Sequence, residues 1–158
     1  MPDWITHILI PWTFFTILGF KFKQFSQQNI AVVIMGALVP DIFKIYLVLN
    51  QIGIHVEDFF TPIHSPVGSI LIASIISLFF IERRLIFIFL VLGISTHYAL
   101  DLLLFNGGMY LLYPFNPVKW QIGIISVTDY NITIVSIVAA LVVYSIYKTV
   151  NHRHNLAE

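Results

Sequence analysis

The feature that most constrains this chain is a run of eight apolar residues, 85–92, with no polar residue on any face. A half-exposed helix or strand would place polar residues on its outer side within that length. Of the 158 residues, 58% are hydrophobic and 10% are charged, whereas soluble domains are about 25% charged. Polar groups therefore cannot cover the folded chain, and we expect the lipid bilayer to be its main partner.

Hydrophobic segments recur along the whole chain, at residues 4–20, 30–49, 66–81, 85–105 and 125–147. A backbone in lipid must satisfy its own hydrogen bonds, which favours helices over open strands. The sequence therefore predicts an all-α protein, a polytopic membrane bundle of about five hydrophobic helices. We expect 1–158 to be a single integral membrane domain that ends in a polar cytoplasmic tail, 148–158. Because the first and third segments are shorter than the ~20 residues of a perpendicular span, they are thin spans or partly buried hairpins.

Charged residues between the segments predict an orientation. Most of the basic ones fall after the first segment, between the third and fourth, and in the tail: Lys21, Lys23, Arg83, Arg84, Lys148 and Arg153. The loop between the fourth and fifth segments has only Lys119. The loop between the second and third segments instead carries Glu57 and Asp58. Since basic loops stay in the cytoplasm, we expect a multi-pass plasma-membrane protein with its N-terminus outside and its C-terminus inside. Lysine plus arginine equals aspartate plus glutamate, at 8 each, which argues against a nucleic-acid partner.

Ionisable residues inside the segments are costly in lipid and therefore suggest function. His97 and Asp101 lie one turn apart on one face of the fourth segment. An imidazole and a carboxylate so placed can bind one divalent cation together. They can equally form a hydrogen bond that only ties two helices, and the spacing leaves both interpretations open.

A second carboxylate, Asp41, follows Pro40 within the second segment. Proline disturbs the helical turn before it and frees a carbonyl group, which suits a hard cation. The alternative is an ion pair between Asp41 and Lys44, three residues further on. His64 lies just before the third segment, which Ser65 is suited to cap. Asp41 and His64 meet only if the second segment breaks at Pro40 or the third starts below the surface, and we predict the break.

Histidine and aspartate at segment ends suggest one kind of site. His7 and His64 taken singly are ordinary histidines, and His55, His152 and His154 resemble solvent residues. The chain has no cysteine, so a metal would be bound by histidine and carboxylate. These are the ligands of hydrolytic zinc, manganese or iron sites. We therefore expect a divalent metal, with zinc favoured and manganese or iron as alternatives.

Five short motifs then fall in an order that resembles one family: DWITH at 3–7, GALVPD at 36–41, HSP at 64–66, GISTHYALD at 93–101 and LLYPF at 111–115. Over roughly residues 1–130 the chain resembles the YdjM-like membrane proteins, described as membrane-bound metal-dependent hydrolases. The resemblance implies a polar signature made of His7, Asp41, His64, His97 and Asp101. If the protein is such an enzyme, we expect the metal ligands to come from these five residues: His97, Asp101, His64 and either Asp41 or His7. A remaining carboxylate, Asp41 or Asp101, would then act as general base.

The sequence departs from the commoner family pattern at two places. Phe43 and Lys44 stand where a second acid and a histidine would be, and Phe59 and Phe60 replace a His-Arg pair. Fewer ligands favour one metal, or none, over two.

Three functions are therefore compared. The first is a hydrolase of a phosphoester or lipid-like substrate, with the loop from residue 106 to Trp120 covering the site. The second is a non-enzymatic membrane partner or regulator whose His/Asp cluster is structural. The third, a transporter or proton relay, is less favoured because the short spans show no inverted repeat.

Overall fold

The fold is known from a computed structural model, which describes residues 4–42, 52–53, 62–105, 110–116, 118–126 and 130–155. These residues form five α-helices: α1 (Trp4–Gly19), α2 (Gln27–Leu38), α3 (Pro66–Ser77), α4 (Arg83–Leu103) and α5 (Asn131–Asn155). A two-residue parallel pairing joins β1 (Leu104–Phe105) to β2 (Ile125–Ser126). The predicted all-α helix bundle is therefore confirmed.

Local chemistry explains where the central helices begin and end. The Ser65 hydroxyl accepts a hydrogen bond from the Gly68 N–H, and Pro66 occupies the first turn of α3, so the predicted cap is confirmed. The α-helical part of α2 ends at Leu38, and a 3-10 turn, Val39–Asp41, follows it. The predicted break therefore falls at Pro40, which has no N–H to continue the helix.

The closest helix contact lies between α2 and α4. A Cβ atom on Gly93 would overlap with the Val33 carbonyl, and one on Gly36 would overlap with the Leu90 carbonyl. In lipid no hydrophobic effect drives helices together, so small residues that let backbones approach determine where they pack. The two glycines place α4 directly against α2 at the centre of the bundle.

Both boundaries of the fifth segment differ from the predictions, and α3 ends at Ser77, before the predicted residue 81. The fifth helix begins at Asn131 instead of residue 125, and it continues through most of the predicted tail, to Asn155. The apolar residues before it form strand β2, while Ile122 and Ile124 donate backbone hydrogen bonds to the carbonyls of Leu102 and Leu103. These bonds satisfy carbonyl groups that the last turn of α4 would otherwise leave unpaired.

Several predictions fall outside the described residues. They concern the Asp41–Lys44 ion pair, the acidic loop of Glu57 and Asp58, and the first part of the loop before Tyr110. The family positions occupied by Phe43, Phe59 and Phe60, and His55, also lie there.

Two helices are long and apolar enough to cross a membrane: Arg83–Leu103 and Asn131–His152. The helices α1 and α3 are apolar but shorter, at 16 and 12 residues. Large apolar side chains are exposed along α3 and α5, among them Leu71, Ile75, Val135, Leu141 and Val142. A soluble protein rarely exposes so much apolar surface, so lipid is the medium that these helices require.

Candidate metal centre

All five residues singled out from the sequence come together at one end of the bundle. His7 lies in the first turn of α1, and His64 lies two residues before α3 begins. Asp41 closes the 3-10 turn after α2, while His97 and Asp101 occupy the last turns of α4. The site therefore lies where four elements begin or end.

The imidazole nitrogens surround the two carboxylates. Nε2 of His97 is 3.2 Å from Asp101 Oδ2 and 3.6 Å from Asp41 Oδ1. Nε2 of His64 is 3.4 Å from the same Asp41 oxygen and 3.7 Å from Asp101 Oδ2. Nε2 of His7 is 3.5 Å from the other Asp101 oxygen, Oδ1. These distances exceed the ~2.9 Å that is usual for an N–H···O hydrogen bond.

The spacings match those between ligands of one ion. Two ligands of a tetrahedral zinc, each about 2.0–2.1 Å from it, lie about 3.3 Å apart. Two overlapping groups of donors are close enough to share an ion: His7, His97 and Asp101, and Asp41, His64 and His97. His97 belongs to both groups and is therefore the central ligand candidate.

The orientation of His97 is determined by its other ring nitrogen. Nδ1 of His97 lies 2.8 Å from the Ala37 carbonyl oxygen. Because a carbonyl only accepts, Nδ1 donates, and in a neutral ring Nε2 then carries a lone pair. That lone pair faces two carboxylates, so the arrangement requires positive charge, either from a bound cation or from a proton on the histidine. The contact also has the form usual for a metal-binding histidine, whose second nitrogen donates to a carbonyl or carboxylate.

His7 is fully buried and stacks on His97, with ring centroids 4.1 Å apart and 19° between the planes. Both ring nitrogens of His7, and Nε2 of His64 and His97, form no hydrogen bond with any residue that the structure describes. Buried polar atoms usually have a partner. A ligand at the centre of the cluster would supply one to several of these atoms at once.

The balance of charge in the pocket also requires added positive charge. With neutral imidazoles, Asp41 and Asp101 give the pocket a formal charge of two negatives, although Asp41 is almost fully buried. Burying uncompensated charge is strongly unfavourable. One divalent cation neutralises both carboxylates, and protonating two of the three histidines does so as well.

His64 is held by contacts that sequence analysis did not identify. Ser69 donates to the Ile63 carbonyl and lies 2.7 Å from the Tyr98 hydroxyl. Tyr98 also sets its ring edge-on to His64, with centroids 6.1 Å apart. Gly68 leaves no room for a Cβ against the backbone at Pro62 and Ile63. The turn that carries His64 is thereby fixed against α3 and α4.

Access to the cluster is from the end of the bundle. The His64 side chain is 28% exposed, whereas His7 and His97 are fully buried. Of the loop expected to cover the site, Leu111 packs against the core cluster that contains Tyr98. Trp120, expected over the site, is about half exposed.

These features define a class: an α-helical membrane protein with a buried His/Asp cluster at one end of its bundle. The model of the YdjM inner membrane protein family matches residues 1–156. The chain therefore belongs to this family, and the family resemblance is confirmed. No curated protein and no solved structure matches the chain.

Proposed function

We propose that this inner membrane protein is a metal-dependent hydrolase that acts on a phosphoester, including one carried by a lipid-like molecule. The observation that supports this most directly is the set of five His and Asp donors with N···O spacings of 3.2–3.7 Å. A divalent ion bound there would supply a Lewis acid that polarises a phosphoryl oxygen.

The donors divide into two roles. His64, His97, Asp41 and Asp101 bind the ion, since four of their donor pairs have the spacing of neighbouring ligands. The second oxygen of Asp101, Oδ1, faces His7 instead. We assign to this pair the proton transfer of the reaction. Asp101 would accept at Oδ1 a proton from the water that attacks phosphorus, the ester P–O bond would break, and the alkoxide leaving group would receive a proton in turn. His7 would hold the protonated carboxyl group by a hydrogen bond at Nε2. Asp41 keeps the alternative role of general base.

The position of the site favours a substrate at the membrane surface. His64 precedes α3, Asp41 follows α2, and Asp101 lies near the end of α4. Of these elements, α4 is long enough to cross the membrane, so Asp101, two residues before its end, lies close to the headgroup level, where the phosphoesters of lipids are found. The opposite end of the bundle carries Lys21, Lys23, Arg83, Arg84 and Lys148. By the positive-inside rule this end is cytoplasmic, so the proposed five-span topology opens the site to the outside.

Metal analysis of purified protein tests the proposal. We expect about one divalent ion per chain in the wild type and in His152→Ala, whose histidine is exposed on α5, but not in His97→Ala. We also expect the metal-loaded wild type to cleave a chromogenic phosphodiester and His97→Ala not to do so. If His97→Ala keeps its metal, the proposed site is wrong. If metal is bound but no phosphoester is cleaved, a structural role for the cluster is supported instead.

The orientation needs a separate measurement. Reporter domains fused at the Arg83–Arg84 turn and within 110–116 should report opposite sides of the membrane, the first cytoplasmic and the second outside. The reverse result would mean that the site opens to the cytoplasm.

A further inference from the structure

A second polar pocket lies at the end of the bundle opposite the His/Asp cluster. It has a volume of about 270 Å³ and lies between the end of α1, the start of α2 and the last turns of α5. Its walls include Thr16, Lys23, Ser26, Gln27, Tyr147 and Asn151. None of these residues belongs to the His/Asp cluster.

We propose that this pocket binds a phosphate group, from a phospholipid headgroup or from a free phosphate. The first helical N–H groups of α2, a helix of 12 residues, have no partner within the helix and carry partial positive charge. Such helix ends are favourable sites for anions. The Ser26 side chain accepts a hydrogen bond from the N–H of Asn29. The N–H groups of Gln27 and Gln28 have no partner among the described residues and can donate to a ligand.

A buried hydroxyl at the pocket is the independent sign of a ligand. Thr16 is 1% exposed, and its Oγ1 has no hydrogen-bond partner among the described residues. A hydroxyl buried in this way is normally satisfied. A phosphate oxygen in the pocket would accept its proton, in addition to the N–H groups at the start of α2.

Charge at the pocket has the sign that phosphate requires. The exposed ammonium group of Lys23 forms no ion pair with the part of the chain that the structure describes, and no acidic residue lines the pocket. Lys21, two residues earlier, does not line the pocket and lies over the Phe22 ring instead, 5.5 Å from its centroid. Basic pockets between membrane helices at the cytoplasmic side characteristically bind lipid headgroups.

Ligand titrations of the full chain in a non-ionic detergent, whose headgroup carries no phosphate, test the proposal. The readout is the midpoint of thermal unfolding with added phosphatidylglycerol, phosphatidylcholine or inorganic phosphate. We expect a saturable rise with phosphatidylglycerol and a much smaller one with phosphatidylcholine, because the choline ammonium neutralises the phosphate charge that Lys23 and the start of α2 attract. A similar rise with inorganic phosphate would identify free phosphate as a source, and a rise with phosphatidylglycerol alone would identify the headgroup.

Variants distinguish a built pocket from general attraction between charges. Lys23→Gln should weaken binding about fivefold, as expected for one lysine near the surface, and Thr16→Val about tenfold, through a lost hydrogen bond to a charged group. The matched control, Lys21→Gln, removes the same charge from the same loop and should change binding less than twofold. Equal losses in Lys21→Gln and Lys23→Gln, wild-type binding in Thr16→Val, or no binding of either phosphate source would overturn the proposal. Because Lys23 is exposed, its variant gives a result even if Thr16→Val fails to fold.

Discussion

The two longest helices, α4 and α5, are both apolar enough to cross a membrane, but their surroundings differ. In the spanning window of α4, 39% of the residues are buried inside the protein, whereas the share for α5 is 17%. The difference follows from a few residues. Helix α4 carries Gly93, His97 and Asp101, while α5 has no glycine and no acid. Apolar character thus places a helix in the membrane, and small and polar residues place it at the centre of the bundle.

The largest effect is expected where α4 touches α2. In Gly93→Ala the new Cβ would overlap with the Val33 carbonyl, and both helices must move apart. We expect a loss of about 3 kcal/mol in the free energy of unfolding and loss of metal binding, because His97 would no longer reach the Ala37 carbonyl. Thermal unfolding in detergent and metal analysis measure the two effects. The control, Ala99→Leu, adds more bulk to the exposed side of α4 and should leave both nearly unchanged. Equal losses of stability and of metal binding in the two variants would contradict the central role of the contact between α2 and α4.

The next effect separates metal binding from stability at the same helix. Asp101→Asn keeps the shape of the side chain but removes one of the two negative charges in the pocket. We expect metal affinity to fall more than about a hundredfold, beyond what loss of an outer partner costs. In the presence of a chelator, however, the variant should unfold at a higher temperature than the wild type, because less uncompensated charge is buried.

The matched control for Asp101→Asn is Glu82→Gln, an exposed carboxylate before α4, which should change neither quantity. A metal-free Asp101→Asn protein that is less stable than the metal-free wild type would show that the carboxylate is already neutralised by protonated histidines.

The same physical rules explain which parts of the site the sequence could predict. His97 and Asp101 stood out because lipid penalises ionisable groups, and Pro40 marked the break that lets Asp41 reach His64. The close contact of Gly36 and Gly93 could not be predicted from the sequence. The two glycines belong to different helices, α2 and α4, and form no sequence motif together. The roles of Ser69 and Tyr98 were also hidden. Hydroxyls on membrane helices often bond only to the backbone of their own helix, as Ser74 does with Ile70. No local sequence pattern distinguishes such a hydroxyl from one that, like Ser69, bonds to another helix.

A smaller effect is expected for the support of His64. Tyr98→Phe keeps the ring against His64 but removes the hydroxyl that bonds to Ser69. We expect metal affinity to fall about tenfold, the lower range for an outer partner, with little change in the unfolding temperature of the metal-free protein. Ser74→Ala is the control on the same helix as Ser69, because its hydroxyl contacts only the α3 backbone. If Tyr98→Phe binds metal as tightly as the wild type, the turn at His64 is held by Ser65, Gly68 and the hydrogen bond from Ser69 to Ile63, without help from Tyr98.

The smallest effect is expected on α5. The hydroxyl of Thr133 lies 3.2 Å from that of Thr6 on α1, one residue before His7. Because hydrogen bonds between membrane helices contribute about 0.6 kcal/mol on average, Thr133→Val should lower the unfolding temperature only slightly and leave metal content at the wild-type level. Ser136→Ala removes a hydroxyl that bonds to the backbone of α5 itself and serves as the matched control. If Thr133→Val instead releases the metal as Asp101→Asn does, then α5 positions His7 through α1, and the separation between a functional α4 and a peripheral α5 would no longer stand.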